Sequence, residues 1–120
     1  MRVELPWPSP KLAPNRRNGK HWTVTHAAKL EAFGDAATLT MQALRATGYQ
    51  APADGPIGLT LTFCPPDRRR RDLDGLLSAC KASLDAVAQV IGVDDVRFEP
   101  MTLRRGEPIK GGAVVLEVGR

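Results

Sequence analysis

A chain of 120 residues with 42% hydrophobic and 25% charged content suits a single globular domain, residues 1–120, with one modest core. Its net charge of +4 points towards polyanionic partners rather than basic ones. No apolar run approaches the ~18 residues of a spanning helix and no signal-peptide core opens the chain, so no membrane partner and a cytoplasmic location are expected.

Residues 2–5 read as a short strand. Pro6, Pro8, Pro10 and Pro14 then forbid regular structure, and the spacing predicts a long loop through Trp22, pinned to the body by Trp7. This loop carries Asn15, Arg16, Arg17 and Lys20. A helix is predicted over residues 25–47, with Thr25 as its cap and Gly48 as its stop. Leu30, Phe33, Ala37, Met41 and Leu44 step by three and four along it, which marks them as its buried face. His21 and His26 lack any metal-ligand pattern.

After a turn at residues 50–56, Ile57, Leu59, Leu61 and Phe63 alternate with Gly58, Thr60 and Thr62. That alternation predicts a half-buried strand ending at Pro65-Pro66. A second helix is predicted over residues 73–90, with Leu73, Leu76, Leu77, Cys80, Leu84, Val87 and Ile91 facing the core. Asp74, Ser78, Lys81 and Asp85 fall on a neighbouring stripe, and Gly92 ends the helix. Residues 96–103 read as a strand at an edge or bulge, because they contain Pro100. Lys110-Gly111-Gly112 is a turn, and residues 113–118 form the last strand. Cys64 and Cys80 lack CxxC spacing and sit in apolar patterns, which predicts reduced core thiols.

The expected fold is α+β: a compact two-layer domain in the order β-α-β-α-β-β. Its mixed sheet carries two main helices on one face, and its last two strands pair as a hairpin.

Chemistry concentrates between Asp67 and Asp95. Arg68, Arg69, Arg70 and Arg71 run into Asp72 and Asp74, and a second acidic pair, Asp94-Asp95, follows the helix. Each acidic pair alone is an ordinary cap or turn. Together they supply oxygen ligands for a hard cation such as Mg²⁺. The arginines offset carboxylate repulsion and suit a phosphate backbone, as do Asn15, Arg16, Arg17, Lys20 and Lys110. Lys81, two turns beyond Asp74, leans back towards the acidic residues and is placed to stabilise charge on a reacting phosphate. Metal-assisted phosphodiester hydrolysis is the reaction that these groups serve.

The run from Asp67 to Asp74, the segment Lys81-Ala-Ser-Leu-Asp85 and the Asp94-Asp95 pair resemble the signature of the RusA family of Holliday junction resolvases. Leu5-Pro6-Trp7-Pro8 and Lys110-Gly111-Gly112 resemble its terminal patterns, and the spacing is similar to that of phage-encoded members. The resemblance implies a homodimeric, Mg²⁺-dependent endonuclease that nicks four-way DNA junctions symmetrically in recombination and repair. It implies Asp72, Asp74 and Asp95 as catalytic metal ligands and Lys81 as the catalytic lysine. Two features depart from the pattern. The lysine lies two turns past the second aspartate instead of one, and Gly75 stands where the family has asparagine. The competing expectations are a non-catalytic DNA-binding dimer and a metal nuclease for other branched DNA.

Overall fold

β1 (Arg2–Pro6), α1 (Trp22–Thr47), β2 (Ile57–Cys64), α2 (Leu73–Ala79), α3 (Lys81–Ile91), β3 (Phe98–Arg105) and β4 (Ala113–Val118) follow one another along the chain. The structure, a computed structural model, describes residues 1–13 and 22–119. The α+β order β-α-β-α-β-β holds, with the second helical stretch divided in two.

The sheet is mixed, in the order β1-β4-β2-β3. β4 lies antiparallel between β1 and β2, and β3 pairs parallel with β2. The expected hairpin of the last two strands therefore does not form, because β2 separates them. The α2–α3 crossover returns the chain parallel to β2, as such crossovers do. The segment after β3 then passes over the end of β2, where Gly106 N donates to Phe63 O at 2.8 Å and Ile109 N to Pro65 O at 2.9 Å. β3 takes an edge position, as Pro100 predicts, with a register shift between Ile57 and Leu59 of its partner.

Alternation in β2 sends Ile57, Leu59, Leu61 and Phe63 to one face. There they join Val3, Leu5, Val114, Leu116 and Val118 from the other strands, Ala36 of α1, and Leu84 and Val87 of α3 in one buried cluster. Each fully buried Leu, Ile or Phe contributes about 1.5–3 kcal/mol, so β2 anchors the core.

α1 differs from expectation in two ways. It starts at Trp22, so Thr25 lies inside the helix and is buried instead of capping it. Its buried face is rotated onto small residues: Thr25, Ala28, Ala36 and Thr40 are buried, whereas Leu30 is 60% and Met41 41% exposed. Small side chains let α1 lie close to the rest of the fold. Thr40 stays satisfied there by donating to Ala36 O at 2.6 Å.

The second helix breaks at Cys80, whose φ −94° and ψ 5° depart from helical values. Cys80 N donates to Leu77 O, while Leu84 N donates to Cys80 O; one residue thus closes α2 and opens α3. Both thiols are free; Cys80 is buried, and burial pushes its thiol up to about 12. Gly92, with φ +78°, ends α3 in the left-handed conformation that suits glycine.

Candidate functional site

The break at Cys80 places Lys81 at the first turn of α3, facing the turn that follows the helix. Its Nζ donates to Asp85 Oδ1 and to Asp95 Oδ2, both at 2.9 Å. Asp85 is one helical turn on, at the i,i+4 spacing that brings side chains together. Asp95 opens the short 3-10 turn Asp95–Arg97, which is capped by Asp94 Oδ1 accepting from Val96 N at 3.0 Å. The Lys81 hydrogen bond, reinforced by its charge, holds the Asp95 carboxyl below the usual carboxylate range. In return Asp95 and then Asp85 push the Lys81 ammonium above its ordinary value.

A cleft of about 300 Å³ opens beside this bridge, and Asp74, Ser78, Lys81 and Asp95 line it with Leu77 and Met101. The structure thus brings Asp74, Lys81 and Asp95 together. Asp72 is exposed at the N-cap of α2, makes no side-chain capping hydrogen bond, and lies outside the cleft lining. Among the described residues no three His, Cys, Asp or Glu side chains are grouped so as to hold a metal ion, so the expected set of Asp72, Asp74 and Asp95 is not assembled. The donor chemistry of the cleft still fits Mg²⁺, which is typically held by one or two carboxylates with water and substrate phosphates completing its shell. Asp74 and Asp95 are the two carboxylates that line the cleft.

The arginine block lies on the other side of α2. Asp67 organises it. Its Oδ1 accepts from Arg69 N at 2.9 Å and pairs with Arg71 at 2.9 Å, and its Oδ2 accepts from Arg69 Nε at 3.2 Å. These contacts, the backbone hydrogen bond first, lower the Asp67 carboxyl. Arg71 is turned inward. It donates to the carbonyls of Asp67 and Arg69, its guanidinium lies 5.4 Å from the centre of the Trp7 ring, and its side chain is only 20% exposed. Arg68, Arg69 and Arg70 are exposed. The block thus divides into one structural arginine and three that face solvent.

The terminal motifs meet here. Trp7, just past β1, packs edge-on to Phe63 with ring centres 6.5 Å apart. Gly112 backs onto the same tryptophan: a Cβ there would stand 2.9 Å from Pro66 Cδ and 3.0 Å from Trp7 Cβ, at a φ of +71°. The turn with Lys110, which is exposed, is thereby held beside the arginine loop. A second cleft, of about 180 Å³, lies between these pieces, lined by Trp7, Phe63, Arg68, Arg69, Arg71 and Arg105 among others.

Arg105 is a residue that the sequence pattern does not single out. Its NH1 donates to Arg71 O at 2.8 Å. Only the parallel pairing of Phe63 with Arg105 carries it to this end of the sheet. Asn15, Arg16, Arg17, Lys20 and His21 lie outside the described residues. No helix is long and apolar enough to cross a membrane among the described residues.

No family model matches the chain. An uncharacterized protein of Xylella fastidiosa (strain Temecula1 / ATCC 700964) is 36% identical over 116 residues, which cover 97% of this chain and 74% of that protein. At that identity and coverage, the chain belongs to the same family as the Xylella fastidiosa protein.

Proposed function

We propose that the protein is a Mg²⁺-dependent endonuclease for branched DNA, acting on four-way junctions by paired symmetric nicks in recombination and repair, as RusA-type resolvases do. The observation that carries this reading is the convergence of Asp74, Lys81 and Asp95 on one cleft, with an arginine-lined cleft across α2. Asp74 and Asp95 would hold the metal, while Asp72, at the N-cap of α2, stands outside the cleft lining. Bound Mg²⁺ supplies Lewis acidity and an activated water. Lys81, held at the cleft by Asp85 as well as Asp95, keeps a cation beside the carboxylates when Asp95 turns to another partner. That cation orients the scissile phosphate and stabilises charge developing on it. Leu77, Leu84, Phe98 and Met101 form the apolar walls. Arg68, Arg69 and Arg70 bind flanking phosphates, and a homodimer supplies the two cutting centres.

The test is cleavage of fixed four-way junctions, flaps and plain duplexes, with and without Mg²⁺. Junctions are expected to be nicked in pairs only with the metal. Preferential cutting of flaps would move the substrate to another branched DNA. Cleavage of none would leave a DNA-binding protein.

A further inference from the structure

The arginine-lined cleft is more than a charged surface. Four arginines, Arg68, Arg69, Arg71 and Arg105, face two carboxylates, Asp67 and Glu107, and the floor is apolar: Trp7 and Leu76 with prolines, backed by the buried Phe63. A backbone phosphate alone has no use for an aromatic floor in a recess. A ligand with a flat apolar part and an anionic part matches both, and an unstacked nucleotide has that composition. Nucleobases stack on aromatic rings and on guanidinium planes, and both surfaces are present where Arg71 lies over Trp7.

The cleft is also preformed. Asp67 fixes Arg69 and Arg71, Arg105 is tied to Arg71 O, and Gly106 to Phe63 O. A recess already ordered loses little entropy on binding. Its position relative to the acidic cleft is set by β3. Met101 lines one and Arg105 the other, four residues apart, or about 13 Å along a strand. About four nucleotides of a DNA strand, at ~3.4 Å each, cover that distance.

We propose that this cleft is a nucleotide-binding subsite that takes a base displaced from the stack close to the cut, with Trp7 and the Arg71 guanidinium against the base and Arg68 and Arg105 on its phosphate. The proposal rests on the reading of DNA as the substrate, and it is tested without cleavage. In EDTA, isothermal titration calorimetry with thymidine 5′-monophosphate is expected to show binding that is stronger than for thymidine or inorganic phosphate. Tryptophan fluorescence is expected to change on binding in the wild type but not in Trp7→Phe, which keeps a ring in place. Arg68→Ala is expected to weaken binding roughly ten-fold, a change of about 1.4 kcal/mol. Arg68 is exposed and only loosely paired with Glu107 at 3.8 Å, so this variant stays folded even if Arg105→Ala does not. A junction carrying 2-aminopurine near the cut is expected to brighten when the protein binds in EDTA.

Absence of nucleotide binding, equal affinity for inorganic phosphate, a fluorescence change that survives Trp7→Phe, or no 2-aminopurine response at any position would each overturn the subsite. Asp74→Asn separates the two readings, since it is expected to end cleavage and leave nucleotide binding intact.

Discussion

The ammonium of Lys81 stands 2.9 Å from Asp95 Oδ2, joining the start of α3 to the turn that follows its end. The same ammonium is 2.9 Å from Asp85 Oδ1. Asp85 therefore gives Lys81 a second anchor, independent of Asp95. Lys81→Met is expected to raise the Asp95 carboxyl back towards its ordinary value, since the Lys81 hydrogen bond is the main cause of its depression. Carboxyl titration followed by NMR reads this directly; an unchanged Asp95 would mean that the bridge does not persist in solution.

The same bridge sets a pH window. Asp95, depressed in the fold, adds stability above an unfolded value near ~3.9, and that stability is lost as pH falls through its folded value. Lys81, raised in the fold, adds stability below an unfolded value near ~10.4, and it is lost as pH rises through its folded value. Between about pH 4 and pH 10 the link stays whole. Melting curves of the wild type and Lys81→Met are therefore expected to converge in acid and at strongly alkaline pH. All of these side chains are substantially exposed, so the gap between the curves at neutral pH is expected to be small.

Metal dependence is expected to separate the three aspartates. Asp74→Asn and Asp95→Asn are expected to lower cleavage by more than the ~10–100-fold that follows removal of an outer-shell partner. Mn²⁺ affinity measured by calorimetry is expected to fall with activity, and junction binding without metal to persist or improve. Asp72→Asn is the discriminating case, since Asp72 stands outside the cleft lining. If it cuts at the wild-type rate, the metal is held by Asp74 and Asp95 alone.

Much of this was legible in the sequence because it is written in short periods. The alternation of β2, the core face of the second helix and the stop at Gly92 are local patterns, and each is found where it is expected. Partnering over distance was not legible. Ala113–Val118 inserts beside β2 and not beside β3, a choice made by the whole sheet. On α1 two apolar stripes compete. Side-chain size favours Leu30 and Met41, but close packing selected the smaller Ala28, Ala36 and Thr40. In the site, Asp74, Lys81 and Asp95 were visible as residue types. The break at Cys80, which puts Lys81 at the head of its own helix, had no Gly or Pro to announce it. Nor did a run of four arginines disclose that Arg71 turns inward onto Trp7.

That division of the block has a measurable outcome. Replacing Arg69 and Arg70 with alanine is expected to weaken DNA binding and to lower the slope of log affinity against log salt by about 0.9 for each phosphate left unneutralised, with little change in melting temperature. Arg71→Ala removes an inward side chain bonded to Asp67 and to two carbonyls, and is expected to lower the melting temperature by several degrees. Gly112→Ala, with no room beside Trp7 and Pro66, is expected to do the same. An unchanged salt slope for the first pair would leave those arginines as solvated charge only.

The last prediction concerns assembly. One chain offers one set of Asp74, Lys81 and Asp95, whereas resolving a four-way junction needs two nicks at symmetric positions. An isologous dimer supplies two identical centres about an axis of the same kind as that of the junction. Light scattering in moderate salt is expected to give twice the 13.0 kDa chain mass. The open stripe of α1 is where the second copy is expected: Leu30 and Met41 are exposed, and Phe33, Ala37 and Leu44 beside them are only half covered. A pair of such helices across a twofold axis buries the large side chains that the core left out. Leu30→Glu with Met41→Glu is expected to give a folded monomer that cuts one strand of a junction slowly and without its partner cut. Mixed dimers of wild-type and Asp74→Asn chains are expected to nick one strand and leave the other intact. A dimer that survives both glutamates would move the interface to another face, the exposed edge of β3 being next in line. A monomer that makes both incisions would remove the dimer and the resolvase reading together.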